Sequence, residues 1–199
     1  MDFWLYQQLN GLAHSSDRLE DVLQFIALYG QYFFMALLAG LFLARGKWAS
    51  RNARHGVIAA GLSAALALGI AQVIAGVVDR PRPYVAHPSD SFLYITPSPD
   101  PSFPSDHATA AFAIAMAIWL RSRRAGEIAF VMAGLLSVSR VSVGTHYPLD
   151  VIAGAAIGIL AALFFWIPAI RRPLHRLADR LGELYESIAT ATVARVRAH

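Results

Sequence analysis

Three short polar segments of this sequence carry side chains that could bind and cleave an anionic group. The first is DRPRP, which places Arg80 and Arg82 on a stretch stiffened by two prolines. A guanidinium on a rigid backbone is suited to bidentate binding of phosphate oxygens. The same arginines could instead extend toward lipid headgroups, because long cationic side chains near membrane helix ends often do so.

The second segment, FPSDHA, contains Ser105, Asp106 and His107 and precedes an apolar run. Ser105 is well placed as the N-cap of a helix. The free amides of the first turn, together with the helix dipole, would then form an anion site. A phosphate bound there would make His107 more basic and favour its use as an acid. A capped helix with an interfacial histidine is the simpler alternative.

The third segment, SRVSVGTHYPLD, contains Arg140, His146 and Asp150 between two strongly apolar runs. His146 and Asp150 are four residues apart and are predicted to share one face of a helix. A carboxylate bonded to one imidazole nitrogen would leave the other nitrogen as a nucleophile or base. The pair is also compatible with a proton relay or with half of a metal site. The arginines argue against a metal, because they would repel the cation.

The elements that must position these residues are predicted to be membrane helices. The 199 residues are 56% hydrophobic and 15% charged, and no polar linker divides them, which indicates one integral membrane domain over 1–199. The absence of cysteine excludes disulfides and thiolate chemistry. We predict an all-α polytopic bundle of about five transmembrane helices, over residues 22–44, 56–78, 108–120, 128–143 and 149–170.

The distribution of basic residues predicts the orientation of this bundle. Eleven arginine and lysine residues follow the ends of alternate spans, on one face of the membrane: Arg45, Lys47, Arg51, Arg54, Arg121, Arg123, Arg124, Arg171, Arg172, Arg176 and Arg180. The positive-inside rule assigns this face to the cytoplasm. The three polar segments therefore face outward, where their arginines serve a purpose other than topology.

The two ends of the chain have the composition of interfacial helices. Residues 2–12 mix aromatic and polar side chains, whereas residues 174–197 form a basic amphipathic pattern within a cytoplasmic tail, 172–199. We expect both to lie at a membrane interface. The N-terminus lacks the basic region and cleavage site of a signal peptide.

The meeting of the three polar segments on one face indicates a common task. Two histidines, several arginines and a helix N-terminus form a site for an anion that is bound and chemically cleaved. Phosphoryl transfer needs positioning, charge neutralisation, a nucleophile and an acid.

These residues resemble the three-part signature of the type 2 phosphatidic acid phosphatase superfamily, written K-x6-R-P, P-S-G-H and S-R-x5-H-x3-D. The resemblance spans residues 56–170 and rests on Arg82-Pro83, Pro104-Ser105-Asp106-His107, Ser139-Arg140, His146 and Asp150. FPSDHA together with GTHYPLD is most similar to bacterial undecaprenyl pyrophosphate phosphatases of the bacitracin-resistance type. Two positions depart from the signature: Ala75 replaces its lysine and Asp106 its glycine. Arg80 or Gln72 could supply the missing polar contact.

The resemblance implies a role for each catalytic position. His146 would attack the terminal phosphorus and form a phosphohistidine, and Asp150 would orient His146. His107 would protonate the leaving oxygen and then activate water. Arg82, Ser105 and Arg140 would hold the phosphate oxygens, with amides near Asp106, and neither a metal nor another cofactor would be needed.

The implied substrate is a polyprenyl pyrophosphate lipid, cleaved at the outer face of the bacterial plasma membrane by a multi-pass enzyme that also contacts membrane lipids. Phosphatidylglycerol phosphate or phosphatidic acid is the alternative substrate. A third hypothesis is a proton-coupled lipid transporter or lipid-binding protein. Nucleic acid is not an expected partner, and homo-oligomerisation is left open.

Overall fold

The computed structural model describes residues 1–43 and 51–197, and every regular element within them is an α-helix. The expected all-helical membrane bundle is confirmed. The eight helices are α1 (Asp2–His14), α2 (Asp17–Leu43), α3 (Arg51–Val78), α4 (Pro83–Ala86), α5 (Asp106–Trp119), α6 (Arg123–Ser142), α7 (Pro148–Trp166) and α8 (Pro168–Arg197). The predicted end of the first span, Ala44, and the basic residues Arg45 and Lys47 lie outside the described residues.

Four segments of the described chain are long and apolar enough to cross a membrane: Asp17–Leu43, His55–Ala86, Arg123–Ser142 and Pro148–Trp166. All four begin earlier than the sequence predicts, and Asp17–Leu43 and Arg123–Ser142 differ most, because α2 and α6 include a polar first turn. The last ends at Trp166 rather than at residue 170, because Pro168 begins α8.

The remaining expected span, predicted over residues 108–120, corresponds to α5, which is short and lies at the centre of the bundle. Its 14 residues correspond to about 21 Å of helix, against about 30 Å for a bilayer core. It packs against α3, α6 and α7. The first turn of α5 carries part of the second polar segment. That segment therefore lies at the end of a short helix that is surrounded by α3, α6 and α7.

Small residues allow α5 and α7 to approach each other closely. A Cβ atom at Gly154 would lie 2.6 Å from the Ser105 carbonyl oxygen, and one at Gly158 would lie 2.3 Å from the Thr109 carbonyl oxygen. Such backbone proximity is typical of small residues spaced four apart in membrane helices. The contact fixes the start of α5 against the start of α7, where the second and third polar segments lie.

The polar rim of the bundle is built from non-helical chain between these helices. Asp79 adopts a left-handed conformation with a φ of 43°, which ends α3 and starts the extended segment that carries Arg80 and Arg82. Gly144, with a φ of 90°, lies against the loop at Phe92, where a Cβ atom would be 2.2 Å from the carbonyl oxygen. This position therefore requires glycine, and it brings the loop that follows α6 under the loop that follows α4.

The two terminal helices pack against opposite ends of the bundle. Asn10 of α1 is buried and donates to the carbonyl oxygens of Phe92 and Ser142, both at 2.8 Å, and accepts from the Phe92 amide at 2.9 Å. In α8, Asp179 pairs with His55 of α3 at 2.9 Å. The helix predicted as an outer interfacial anchor is thus also joined to the polar rim.

We expect Gly158→Ala to destabilise the protein, because the added methyl group collides with the backbone of α5. Overpacking of this kind costs about 1–3 kcal/mol, to be measured as a fall in the thermal unfolding temperature in detergent. Gly69→Ala is the matched control, since a Cβ atom there meets nothing within 4 Å. Equal unfolding temperatures for the two variants would contradict the close contact between α5 and α7.

Candidate active site

Four basic side chains from separate parts of the chain converge at the polar rim. His107 lies in the first turn of α5, Arg82 in the extended segment after α3, Arg140 at the end of α6, and His146 in the loop before α7. Every pair of these four residues is close enough to interact electrostatically. The structure therefore brings together at least one residue from each of the three predicted segments.

The ring of His146 is held in a defined orientation. It is 2% exposed, and its Nδ1 lies 2.8 Å from the carbonyl oxygen of Ser102. Because a carbonyl oxygen can only accept, Nδ1 carries the proton in the neutral ring and Nε2 keeps its lone pair. Nε2 lies 3.4 Å from Nη1 of Arg82, so the nucleophilic nitrogen faces the cationic group.

Burial lowers the pKa of His146, and the charges of Arg140 and Arg82 lower it further against the opposing effect of Asp150. The imidazole is therefore neutral at physiological pH. A neutral ring with a free Nε2 is the form that can attack an electrophile.

Asp150 is fully buried, but its relation to His146 differs from the prediction. The two residues do not share a helical face, because α7 begins at Pro148 and His146 precedes its N-cap. The Oδ2 atom of Asp150 is 3.7 Å from Nδ1 of His146, too far for a hydrogen bond. It accepts instead from Oγ of Ser102 at 2.5 Å and from the Tyr147 amide at 2.8 Å.

Ser102 links His146 to Asp150 and was not predicted from the sequence. Its hydroxyl donates to Asp150, while its carbonyl oxygen accepts from His146, and the residue is fully buried. It stands in SPDPSFPS, where several serines and prolines alternate. Neither residue type nor spacing distinguishes Ser102 there, so only the fold identifies it.

Two buried polar atoms beside the histidines have no hydrogen-bond partner among the described residues: Oγ of Ser105 and Nε of Arg140. Ser105 occupies the N-cap position of α5, as predicted, yet its hydroxyl does not cap the helix. The guanidinium of Arg82 is oriented by two backbone contacts, from Nε to the Asp100 carbonyl oxygen at 2.8 Å and from Nη1 to that of Thr145 at 3.1 Å. These groups form a buried, positively charged site with unused donors, the chemistry that binds an anion.

Three predicted binding residues contact other side chains in this structure. Arg80 donates from Nη1 to Asp150 and from Nη2 to Asp2, both at 2.6 Å. Gln72 donates to Oδ2 of Asp106 at 2.8 Å. Gln72 and Asp106 therefore form a pair beside His107, whereas Arg80 contacts Asp150 and Asp2.

An apolar groove leads away from His107 along the bundle. It has a volume of about 330 Å³. Its walls come from α2, α3, α5 and α6, and the lining includes Phe34, Met35, Leu38, Leu68, Ala111, Ile114 and Leu136. At the His107 end, Gln31 and Asp106 are the polar lining residues. An anionic headgroup at the histidines and an apolar chain in the groove would thus be accommodated together.

Within residues 1–43 and 51–197, no group of three or more histidine, cysteine, aspartate or glutamate side chains is arranged to hold a metal ion. The positive charges around His146 and His107 come from guanidinium groups.

The sequence matches a known protein family and is similar to several known proteins. The profile of the PAP2 superfamily matches residues 56–172. Undecaprenyl-diphosphatase BcrC of Bacillus subtilis is 32% identical over 189 residues, covering 94% of this chain and 93% of that protein. The bacitracin transport permease protein BcrC of Bacillus licheniformis is also 32% identical, covering 92% of this chain and 86% of that protein.

The fold is similar to a solved membrane protein structure. The crystal structure of LpxE from Aquifex aeolicus superposes with a TM-score of 0.68 and 26% sequence identity, covering 82% of this chain and 93% of that chain. The superfamily profile spans more than half of the sequence, and the region includes all three polar segments. The chain therefore belongs to the PAP2 superfamily and is a membrane phosphatase of that superfamily.

Proposed function

We propose that this protein hydrolyses undecaprenyl pyrophosphate to undecaprenyl phosphate and inorganic phosphate, in the recycling of the carrier lipid of cell-wall synthesis. The observation that carries the proposal is the buried cationic site in which Ser105 Oγ and Arg140 Nε are unpaired beside a neutral His146. A terminal phosphate would supply the acceptors that these donors lack.

The first chemical step is attack by Nε2 of His146 on the terminal phosphorus. A nitrogen–phosphorus bond forms while the bond between that phosphorus and the bridging oxygen breaks. The electron pair leaves with the lipid monophosphate, and His107 donates a proton to the leaving oxygen. Arg82, Arg140 and Ser105 stabilise the charge on the transferred phosphoryl oxygens.

The second step hydrolyses the phosphohistidine. His107, now deprotonated, takes a proton from water, whose oxygen attacks the phosphorus and releases His146 and inorganic phosphate. The two histidines suit this division of work, because His107 lies within electrostatic reach of His146 yet belongs to α5 rather than to the loop that carries His146. One ring is then the nucleophile and the other the acid and base.

The substrate assignment rests on the groove and on the relatives. An apolar cavity that begins at His107 suits the first isoprene units of a lipid whose pyrophosphate lies at the rim. Undecaprenyl-diphosphatase BcrC aligns with 94% of the length of this chain. Phosphatidylglycerol phosphate and phosphatidic acid are the competing substrates of the same chemistry.

The proposed reaction needs no divalent metal. Arg82 and Arg140 supply the positive charge that a cation would otherwise bring, and a metal ion between them would be repelled. Hard divalent cations prefer clusters of oxygen ligands, whereas nitrogen donors surround this site.

We also propose that the site faces the periplasm or the cell exterior. The basic segments between α5 and α6 and after α7 lie at the ends of helices opposite to the histidines. The positive-inside rule places those ends in the cytoplasm. The product phosphate is then released outside the cell.

Purified wild-type protein, assayed in detergent with excess EDTA, should release phosphate from undecaprenyl pyrophosphate at least about tenfold faster than from phosphatidic acid, because the groove favours the isoprenoid chain. Colorimetric phosphate release under equal micellar concentrations measures the ratio. Faster turnover of phosphatidic acid would favour the alternative substrates. Turnover only after magnesium is added would contradict the metal-independent chemistry, whereas absence of turnover would favour a transport or binding role.

The His107→Ala and Asp150→Asn variants should fail at different steps. An activated substrate with a good leaving group needs no proton, so His107→Ala should still form the phosphohistidine but hydrolyse it slowly. Asp150→Asn should slow the attack itself by roughly 10³–10⁴-fold, by analogy with triad carboxylates, and should trap nothing. Acid-quench labelling with a ³²P-labelled activated substrate distinguishes them.

The control for this trapping experiment is His146→Ala, which should neither turn over nor become labelled. Labelling of His146→Ala would exclude His146 as the nucleophile. Labelling of Asp150→Asn but not of His107→Ala would require the roles of those two residues to be exchanged.

Single cysteines can test the orientation, since the natural sequence contains none. Ser89, in the loop after α4, and Ser122, just before α6, are both exposed. In intact cells, Ser89→Cys should react with a membrane-impermeant maleimide and Ser122→Cys should react only after lysis. The opposite pattern would place the site in the cytoplasm.

A further inference from the structure

The carboxylate of Asp2, at the start of α1, lies at the back of the active site. Its Oδ2 atom accepts from Nη2 of Arg80 at 2.6 Å, and its Oδ1 atom accepts from the Leu149 amide at 3.0 Å. Leu149 lies in the first turn of α7, whose amides have no partner within the helix. Asp2 therefore contacts Arg80, which also donates to Asp150, and it contacts the helix that carries Asp150.

Arg80 joins the two carboxylates. Its Nη1 donates to Asp150 at 2.6 Å, and its guanidinium carbon lies 3.8 Å from the centre of the Tyr147 ring. Asp150 is fully buried, so its charge requires a partner that is held in place. The planar fork of an arginine can satisfy two carboxylates at once, which a lysine cannot do with the same geometry.

The packing of α1 fixes Asp2 in this position. Tyr6 is fully buried, and its ring lies 5.7 Å from that of Tyr147. Phe3 stacks on His87 with a centroid distance of 3.8 Å. At the other end of α1, the buried Asn10 makes three hydrogen bonds to the rim loops. The helix is thus anchored at both ends, and its first carboxylate cannot move far from Arg80.

We propose that Asp2 is a positioning residue for the phosphatase reaction, acting through Arg80 on the Asp150 carboxylate. The inference rests on the proposed function. Asp150 receives Arg80 on Oδ1 and Ser102 on Oδ2, and Ser102 in turn orients His146. A shift of Arg80 would therefore reach the nucleophile through three hydrogen bonds. The negative charge of Asp2 also balances Arg80, so that the field of Asp150 on His146 is not cancelled.

Asp2→Asn tests this role with little change in shape. The asparagine oxygen can still accept from the Leu149 amide, so the docking of α1 is retained while the ion pair to Arg80 is lost. We expect kcat for undecaprenyl pyrophosphate to fall about tenfold, as small displacements of catalytic groups produce such losses, with KM changed less than twofold. The full chain is used with its purification tag at the C-terminus, away from Asp2.

A double-mutant cycle tests whether Asp2 acts through Arg80. Arg80→Ala should lower kcat about 100-fold, because it leaves a buried carboxylate without its cation. Adding Asp2→Asn to Arg80→Ala should lower kcat no further. Asp17→Asn is the matched control, since it removes the same charge from an exposed position at the start of α2, and its kcat should equal that of the wild type.

Three outcomes would overturn the inference: a kcat for Asp2→Asn within twofold of the wild type, a full tenfold loss added to that of Arg80→Ala, or an equal loss in Asp17→Asn. A lower unfolding temperature with unchanged kcat would mean that Asp2 only anchors α1.

A measurement that does not depend on turnover separates this inference from the proposed function. The ring ¹⁵N signals of His146, assigned by their loss in His146→Asn, report its tautomer and hydrogen bonding. They should change in Asp2→Asn and not in Asp17→Asn. If the wild type released no phosphate, the proposed function would fail, and these signals would still decide whether Asp2 positions His146. Unchanged signals in Asp2→Asn would refute the inference.

Discussion

The constraint on which the polar rim of this structure depends is the complete burial of the Asp150 carboxylate. A buried charge is tolerated only when cations and hydrogen-bond donors surround it. The chain meets this requirement with Arg80 from the segment after α3, Ser102 from the long rim loop and the Tyr147 amide at the start of α7. Three separate parts of the sequence are thereby fixed around one side chain, and each also contributes to the arrangement of His146.

The membrane part of the protein supports this network through close packing. Glycines in α7 let α5 approach to backbone distance, so the first turn of α5 and the start of α7 have a fixed separation. The amide of Ser105 donates to the Asp150 carbonyl oxygen at 3.0 Å, which joins the two helix ends directly. Precise placement of His107 relative to His146 therefore derives from packing within the bilayer rather than from the loops alone.

Much of this arrangement could be predicted from the sequence. The apolar runs indicated the helices, and the spacing of the polar residues indicated that His107, His146, Arg82 and Arg140 would converge. The prediction that His146 and Asp150 share a helical face was wrong, because Pro148 starts α7 two residues after the histidine. The spacing is the same in a loop followed by a helix, so sequence separation alone could not distinguish the two geometries.

Ser102 and Asp2 could not be identified from the sequence, because both act through contacts between distant segments. Ser102 meets Asp150 across 48 residues, and Asp2 meets Arg80 across 78. Neither contact leaves a periodic pattern, and both residue types are common in loops and at helix starts. Residues that touch the reacting group are limited to a few chemical types, whereas residues that support them need only the right position, which the fold alone specifies.

The electrostatics of the site explain why such support is needed. Arg82 and Arg140 both lie close to His107 and His146, so the site carries excess positive charge next to the bilayer. That charge favours a phosphate anion but also opposes the protonation of His107 that the first step requires. A bound phosphate reverses this balance, because its negative charge offsets the arginines and raises the proton affinity of the nearby ring. In the proposed mechanism the substrate would thus complete the acid that cleaves it, while Asp150 would orient the attacking ring through Ser102.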